Sequence, residues 1–235
     1  MTADDADIDR LRAARERVLG RIAAACARVG RDPAEVNLVA VTKTVTVERA
    51  RAAVTAGLTV LGENRVQEGE AKAPFVDGAT WHLIGPLQSN KARRAIETFD
   101  VIESVDSAAL AERLDRLVGE DCTTRRLPVL LQVNVDRDPA KAGFRPEALP
   151  DAMAAVEPLP HLEIRGLMTV GRLVRRPEDA RPTFVALREL SEQLRSRRPS
   201  LGRELSMGMT DDFEVAVEEG ATIVRVGRAL FGQRP

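Results

Sequence analysis

The feature that most limits how this chain can fold is an alternation that recurs eight times. Short apolar or β-branched runs occur at residues 36–42, 58–62, 80–85, 100–104, 127–134, 162–169, 204–208 and 222–227. Most gaps between them hold an amphipathic helical stretch, as at 47–56, 88–99, 107–119, 178–198 and 211–219. Strands that alternate with helices join through right-handed crossovers and build a parallel sheet. Eight such units can close on themselves, so the spacing predicts a single (β/α)8 TIM-type barrel. The rival, an open doubly wound sheet, usually carries a glycine-rich turn after its first strand, and Thr42-Lys43-Thr44-Val45 holds no glycine. Ahead of the first run, Ile8, Leu11, Val18, Leu19, Ile22 and Val29 recur at helical spacing and end near Gly30. Residues 1–30 are therefore expected to supply an extra N-terminal helix packed on the barrel. No linker or internal repeat interrupts residues 1–235, which are expected to form one domain; the Arg/Pro-rich piece 171–181 reads as a surface loop.

Composition narrows the function classes. A formal charge of −1 argues against a nucleic-acid footprint, and an aromatic content of 3% without tyrosine leaves no platform for stacked bases. No apolar run approaches the roughly 18 residues of a membrane helix. The start Met1-Thr2-Ala3-Asp4-Asp5 is acidic, wrong for a secretory signal, and a cytoplasmic location is expected. Cys26 and Cys122 are too few for a disulfide framework and read as helix-packing residues. The two histidines, His82 and His161, lie far apart in sequence, so no metal site is expected. His82, beside Trp81 in a strand, reads as a satisfied core histidine, and His161 as solvent-facing.

Only four of the 35 basic residues are lysine: Lys43, Lys72, Lys91 and Lys141. Arginine does the ordinary work of surface charge, so a lysine directly after the first strand calls for a reason. An amine, unlike a guanidinium, can lose its proton and attack a carbonyl carbon, and desolvation favours that neutral form. Lys43 is the candidate nucleophile. Lys141, in the loop after the fifth strand, is the second choice because a loop lysine is less desolvated. Lys91, with Arg93 and Arg94, reads as a solvated helix face, and Ser89 or Asn90 as a cap for that helix.

Barrel chemistry sits at the C-terminal ends of the strands, and the loops after strands seven and eight commonly bind phosphate. Here those ends carry Ser206, Gly208, Arg225 and Gly227: a hydroxyl, two close-approach glycines and a fixed positive fork. Asp211 and Asp212 read as residues of a helix start, since carboxylates repel phosphate. Asn64 and Asn134 end strands at the same face, and both also suit turns. An amine facing a phosphate nest describes a pocket for pyridoxal 5′-phosphate.

At this point the chain resembles the pyridoxal phosphate homeostasis protein family, small barrels similar to the N-terminal domain of alanine racemase. The resemblance is carried by VAVTK at 39–43, GENRVQE at 62–68, WHLIGPLQSNK at 81–91, LQVN at 131–134, RGLMTVG at 165–171, LSMGMTDDFE at 205–214 and VRVGRALFG at 224–232. It implies that Lys43 holds the cofactor as a Schiff base and that Ser206, Arg225 and Gly227 bind its phosphate with help from Gly208; Asn64, from its place at a strand end, is expected to hydrogen-bond the cofactor. One departure is Val45-Thr46, where many relatives carry a proline just after the lysine.

The expected function is pyridoxal phosphate binding for intracellular homeostasis, buffering and delivery, without catalytic turnover. The alternative is a pyridoxal phosphate-dependent racemase or decarboxylase. Related racemases place a tyrosine opposite the lysine, and this chain has none. Its end shortly after the eighth strand is also expected to leave the site without a covering domain. Recipient apo-enzymes are the expected partners, and the chain is expected to act as a monomer.

Overall fold

The computed structural model describes residues 3–120, 126–172 and 174–232. Eight strands, β1 (Asn37–Val41), β2 (Val60–Glu63), β3 (Thr80–Leu83), β4 (Val101–Val105), β5 (Leu127–Gln132), β6 (Leu162–Met168), β7 (Glu204–Met209) and β8 (Ile223–Val226), pair in sequence order and close into a barrel. Every neighbouring pair is parallel, including β8 on β1, where Val39 faces Arg225 and Ala40 faces Val226. All eight runs read from the sequence are strands. Helices cover the outside: α1 (Ala3–Val29), α2 (Val47–Thr55), α3 (Val66–Lys72), α4 (Ala92–Thr98), α5 (Ala108–Glu120), α6 (Leu149–Val156), α7 (Arg181–Arg197), α8 (Phe213–Glu218) and α9 (Arg228–Phe231). The stretch expected as one helix over 88–99 instead divides into a 3-10 turn, Ser89–Lys91, and α4.

Two cores follow from strand alternation. One set of side chains points outward and meets the helices; the other points inward and fills the barrel. The inward set includes Val39, Val41, Val101, Leu130, Met168 and Ile223. Gly62 belongs here too: a Cβ on it would lie 2.7 Å from Val39 Cγ1, so only glycine leaves room beside β1. The packed interior raises the polar layer above it to the C-terminal mouth.

Helix α1 buries Leu11, Ala14, Val18, Ile22 and Ala25, spaced by three or four residues along one face. That stripe packs against α2, α8 and α9, across the seam where β8 meets β1. Burying each large aliphatic side chain stabilises the docking by about 1.5–3 kcal/mol as an upper bound. Arg21 adds a paired contact to Glu214 at 3.1 Å, and its guanidinium lies over the Phe213 ring. Cys26 is a buried free thiol in the same helix, as its packing role requires; Cys122 lies outside the described residues.

Candidate functional site

Lys43 stands two residues beyond Val41, so the alternation of β1 carries it to the inner side of the barrel, at the C-terminal mouth. Its side chain is half-buried and lines a cavity of about 330 Å³ together with Asn64, Ile84, Val170, Thr210, Arg225 and Gly227. A second hollow of about 210 Å³, between α2 and α9, also reaches Lys43 and Gly227. The turn that presents the lysine is unusual. Thr44 has φ 67°, a left-handed conformation that a β-branched residue rarely adopts. Such a backbone costs on the order of 1–3 kcal/mol and persists only where its surroundings fix it. Thr46 then caps α2, its hydroxyl accepting from Arg49 N at 3.3 Å. The hydroxyl thereby satisfies one of the N–H groups that the first turn of α2 leaves unpaired.

The outer side of this turn is anchored by a buried triangle. Thr42 Oγ1 donates to Glu63 Oε1 at 2.7 Å, and Lys72 Nζ donates to the same oxygen at 2.7 Å and to Thr42 O at 2.8 Å. Glu63 Oε2 is buried and has no partner among the described residues. Burial, with Glu68 adding to it, pushes the Glu63 carboxyl up to about 7, against the opposing pull of Lys72 and Thr42.

Beneath the cavity lies a second polar cluster. Arg225 is only 4% exposed, and Nη1 donates to Ser206 Oγ at 2.5 Å while Nη2 donates to Thr169 O at 2.7 Å. Ser206 Oγ in turn donates to Glu103 Oε2 at 2.5 Å, and Glu103 Oε1 pairs with His82 Nδ1 at 2.6 Å. Full burial alone would raise the Glu103 carboxyl; His82, Arg225 and Ser206 together outweigh it and hold the group below its usual range. Desolvation pulls the Arg225 guanidinium down, opposed by Glu103 and Asp212.

The mouth on the β7–β8 side offers donors for an anion. Gly227 N–H points toward Thr210 Oγ1 at 3.4 Å, a contact loose enough for an acceptor to replace, and Arg228 flanks it, paired with Asp211. Asp212 is the residue before α8, as expected, but its Oδ1 accepts from Met209 N at 2.6 Å and turns the chain back from β7.

Of the residues singled out from sequence, the structure brings Lys43, Asn64, Arg225 and Gly227 to one cavity. Ser206 is fully buried one layer lower and reaches the cavity only through Arg225. Gly208 has φ 90°, and a Cβ there would lie 2.5 Å from Ala216 Cβ; it serves the close contact with α8, away from the cavity. Asn134 is spent on its own loop, donating to Asp138 O and Lys141 O. Lys141 is tied down by Gly171 O at 2.8 Å and Val170 O at 3.2 Å. His82 is the buried partner of Glu103 already described, and His161 sits against Asp115. Sequence reasoning missed Thr210, Glu103 and the Lys72–Glu63 pair. Thr210 was within reach, since β7 runs to Met209 and so delivers Thr210, rather than Ser206, to the mouth. Glu103 had its own signal, a charge in the middle of an apolar strand. Among the described residues no group of His, Cys, Asp and Glu could hold a metal ion, and no helix is long and apolar enough to cross a membrane.

Comparison with known proteins agrees with this architecture. Residues 19–235 match the family described as alanine racemase, N-terminal domain. A pyridoxal phosphate homeostasis protein of Pseudomonas aeruginosa is 44% identical over 221 residues, covering 93% of each chain. A protein of the same name from Aquifex aeolicus is 41% identical over 220 residues, covering 93% of this chain and 96% of the relative. The solved structure of PipY from Synechococcus elongatus with PLP bound is 43% identical, covers 90% of this chain and 100% of its own, and superposes with a TM-score of 0.79.

Proposed function

This chain belongs to the pyridoxal phosphate homeostasis protein family, and from that premise we propose that it holds pyridoxal 5′-phosphate reversibly on Lys43 and hands it on inside the cell. The observation that carries the reading is the convergence of one lysine, one buried arginine and a hydroxyl–amide pair on a single cavity. Its volume of about 330 Å³ falls within the range of roughly 300–1,000 Å³ usual for small-molecule sites.

Pyridoxal phosphate supplies an aldehyde and a phosphate ester. When bound, the aldehyde would be held by the Lys43 amine as an imine with loss of water; water would release it again as the aldehyde, and a second amine would take it over by exchange. Gly227 N–H and the Thr210 hydroxyl receive the phosphate, with Arg228 beside them. Asn64 supplies an amide from the opposite wall, and Arg225 supplies fixed positive charge from the floor. Ser206 acts on the ligand through Arg225, and Gly208 by shaping the turn into α8.

Storage without turnover is the second part of the proposal. Racemisation needs a proton acceptor on each face of the substrate carbon. The chain has no tyrosine to complement Lys43, and the acid lining the cavity, Asp211, is paired with Arg228. The protein is read as a cytoplasmic monomer that serves pyridoxal phosphate-dependent apo-enzymes.

Borohydride reduction of the loaded protein followed by peptide mapping tests the linkage. The cofactor mass belongs on the Lys43 peptide; its appearance on Lys141 alone overturns the assignment. Incubation with L- and D-amino acids tests the rest. Multiple turnovers at about 1 s⁻¹ or faster would replace the carrier with an enzyme.

A further inference from the structure

We propose that Lys72 is a positioning residue for Lys43: its ammonium fixes the peptide that aims the nucleophile, and without it the pocket still takes a phosphate ester but forms the imine poorly. The inference rests on the reading of Lys43 as the imine lysine.

Lys72 closes α3 and is 7% exposed, an unusual burial for an ammonium. Its four-carbon stem runs from the outer helix layer to the top of β1. There Nζ donates 2.8 Å to the carbonyl of Thr42, the residue bonded to Lys43. The same carbonyl accepts from Val45 N at 2.9 Å, so both of its lone-pair sites are taken. These two donors fix the plane of the Thr42–Lys43 peptide and with it the direction in which the Lys43 side chain leaves the backbone. The next residue, Thr44, sits at φ 67°, a conformation that relaxes when its neighbours are released. Glu63, the last residue of β2, completes the brace: it holds Lys72 Nζ at 2.7 Å and the Thr42 hydroxyl at 2.7 Å. β1, β2 and α3 are thereby locked together behind the lysine, on the face opposite the cavity.

The residue type fits the task. An ammonium spreads three donors tetrahedrally and can serve a carbonyl and a carboxylate that lie in different planes. A chain that uses arginine almost everywhere else keeps lysine at this position as well as at Lys43.

The test separates aiming from folding by using two ligands. Pyridoxal phosphate forms an imine; pyridoxamine phosphate has the same ring and phosphate but no aldehyde. In Lys72→Met the imine equilibrium, read by absorbance, is expected to weaken about tenfold or more, the worth of one charge-assisted hydrogen bond. Pyridoxamine phosphate affinity is expected to change by less than about twofold, because the Thr210–Gly227 side is untouched; twofold is about 0.4 kcal/mol, less than a typical net hydrogen bond. Equal losses for both ligands would assign Lys72 a purely structural role, and no loss for either would remove it from the site. If Lys72→Met does not fold, Lys72→Gln takes its place: its shorter amide keeps a polar group beside Glu63 but falls short of the Thr42 carbonyl, and it must show the same split or the proposal fails. A parent protein that binds pyridoxal phosphate without any imine signal overturns the Lys43 reading instead.

Discussion

Two buried glutamates flank the mouth of this barrel, and they carry their protons differently. Glu103 points inward and receives His82, Ser206 and the charge of Arg225; its carboxyl is held below the usual range. Glu63 points outward, takes Lys72 and Thr42 on one oxygen, and leaves the other without a donor; its carboxyl rises to about 7. Both side chains are fully buried. Burial therefore does not decide the charge. The partners that oppose it do: His82, Arg225 and Ser206 outweigh burial at Glu103, whereas at Glu63 Lys72 and Thr42 do not, and the neighbouring Glu68 carboxyl adds to the burial. The inner network is electrostatically closed and serves as a fixed floor, whereas the outer one remains titratable.

The contrast can be broken most directly at Glu103. Glu103→Leu leaves Arg225 buried without its counter-charge and is expected to cost about 3–5 kcal/mol, read from denaturant unfolding. A loss under about 1 kcal/mol would mean that the network is not closed in the sense argued, since that is the worth of an exposed pair.

The next effect is one of pH. A carboxyl raised from 4.5 to about 7 binds its proton more tightly folded than unfolded. Its contribution is complete below 4.5 and is lost as pH rises through about 7. Parent protein should lose stability relative to Glu63→Gln between those values, by at most about 3.5 kcal/mol at about 1.4 kcal/mol per pKa unit. Parallel stability curves for the two proteins would place the Glu63 titration elsewhere.

The smallest effect sharpens the comparison. Thr42→Val withdraws one donor from Glu63 and should cost about 0.5–1.5 kcal/mol near neutral pH. The loss should shrink in acid, where the carboxyl is protonated and needs its donors less. A loss independent of pH would show that the hydroxyl serves packing and not the carboxylate.

The barrel was legible because eight short apolar or β-branched runs recur along the sequence, most of them separated by amphipathic helical stretches. Lys43 was legible for a related reason, being a rare residue type at a strand end. The polar layer was only half readable. Ser206 and Arg225 stood out by type, but their depth depends on where strands stop, and a strand end misplaced by one residue turns a mouth position into a floor position. The links of His82 to Glu103 and of Glu103 to Ser206 span 21 and 103 residues, which no local pattern encodes. Lys72 lies on an outer helix and gives no sign in sequence that its ammonium returns to β1.

The pairing of β1 with β8 has a consequence for how this protein gains its ligand during biosynthesis. Lys43 follows the first strand and Arg225 lies in the last, and Val39 meets Arg225 only when the sheet joins its own ends. Contacts of such long sequence separation form late, since the entropy of the intervening loop must be overcome first. On the proposed role of Lys43, a nascent chain exposes that amine long before it can retain pyridoxal phosphate there, and ligand retention becomes a reporter of ring closure. Ligand added at a hundred times its dissociation constant should deepen the native well by about 2.7 kcal/mol, and that gain should appear in the unfolding rate more than in the early steps of folding.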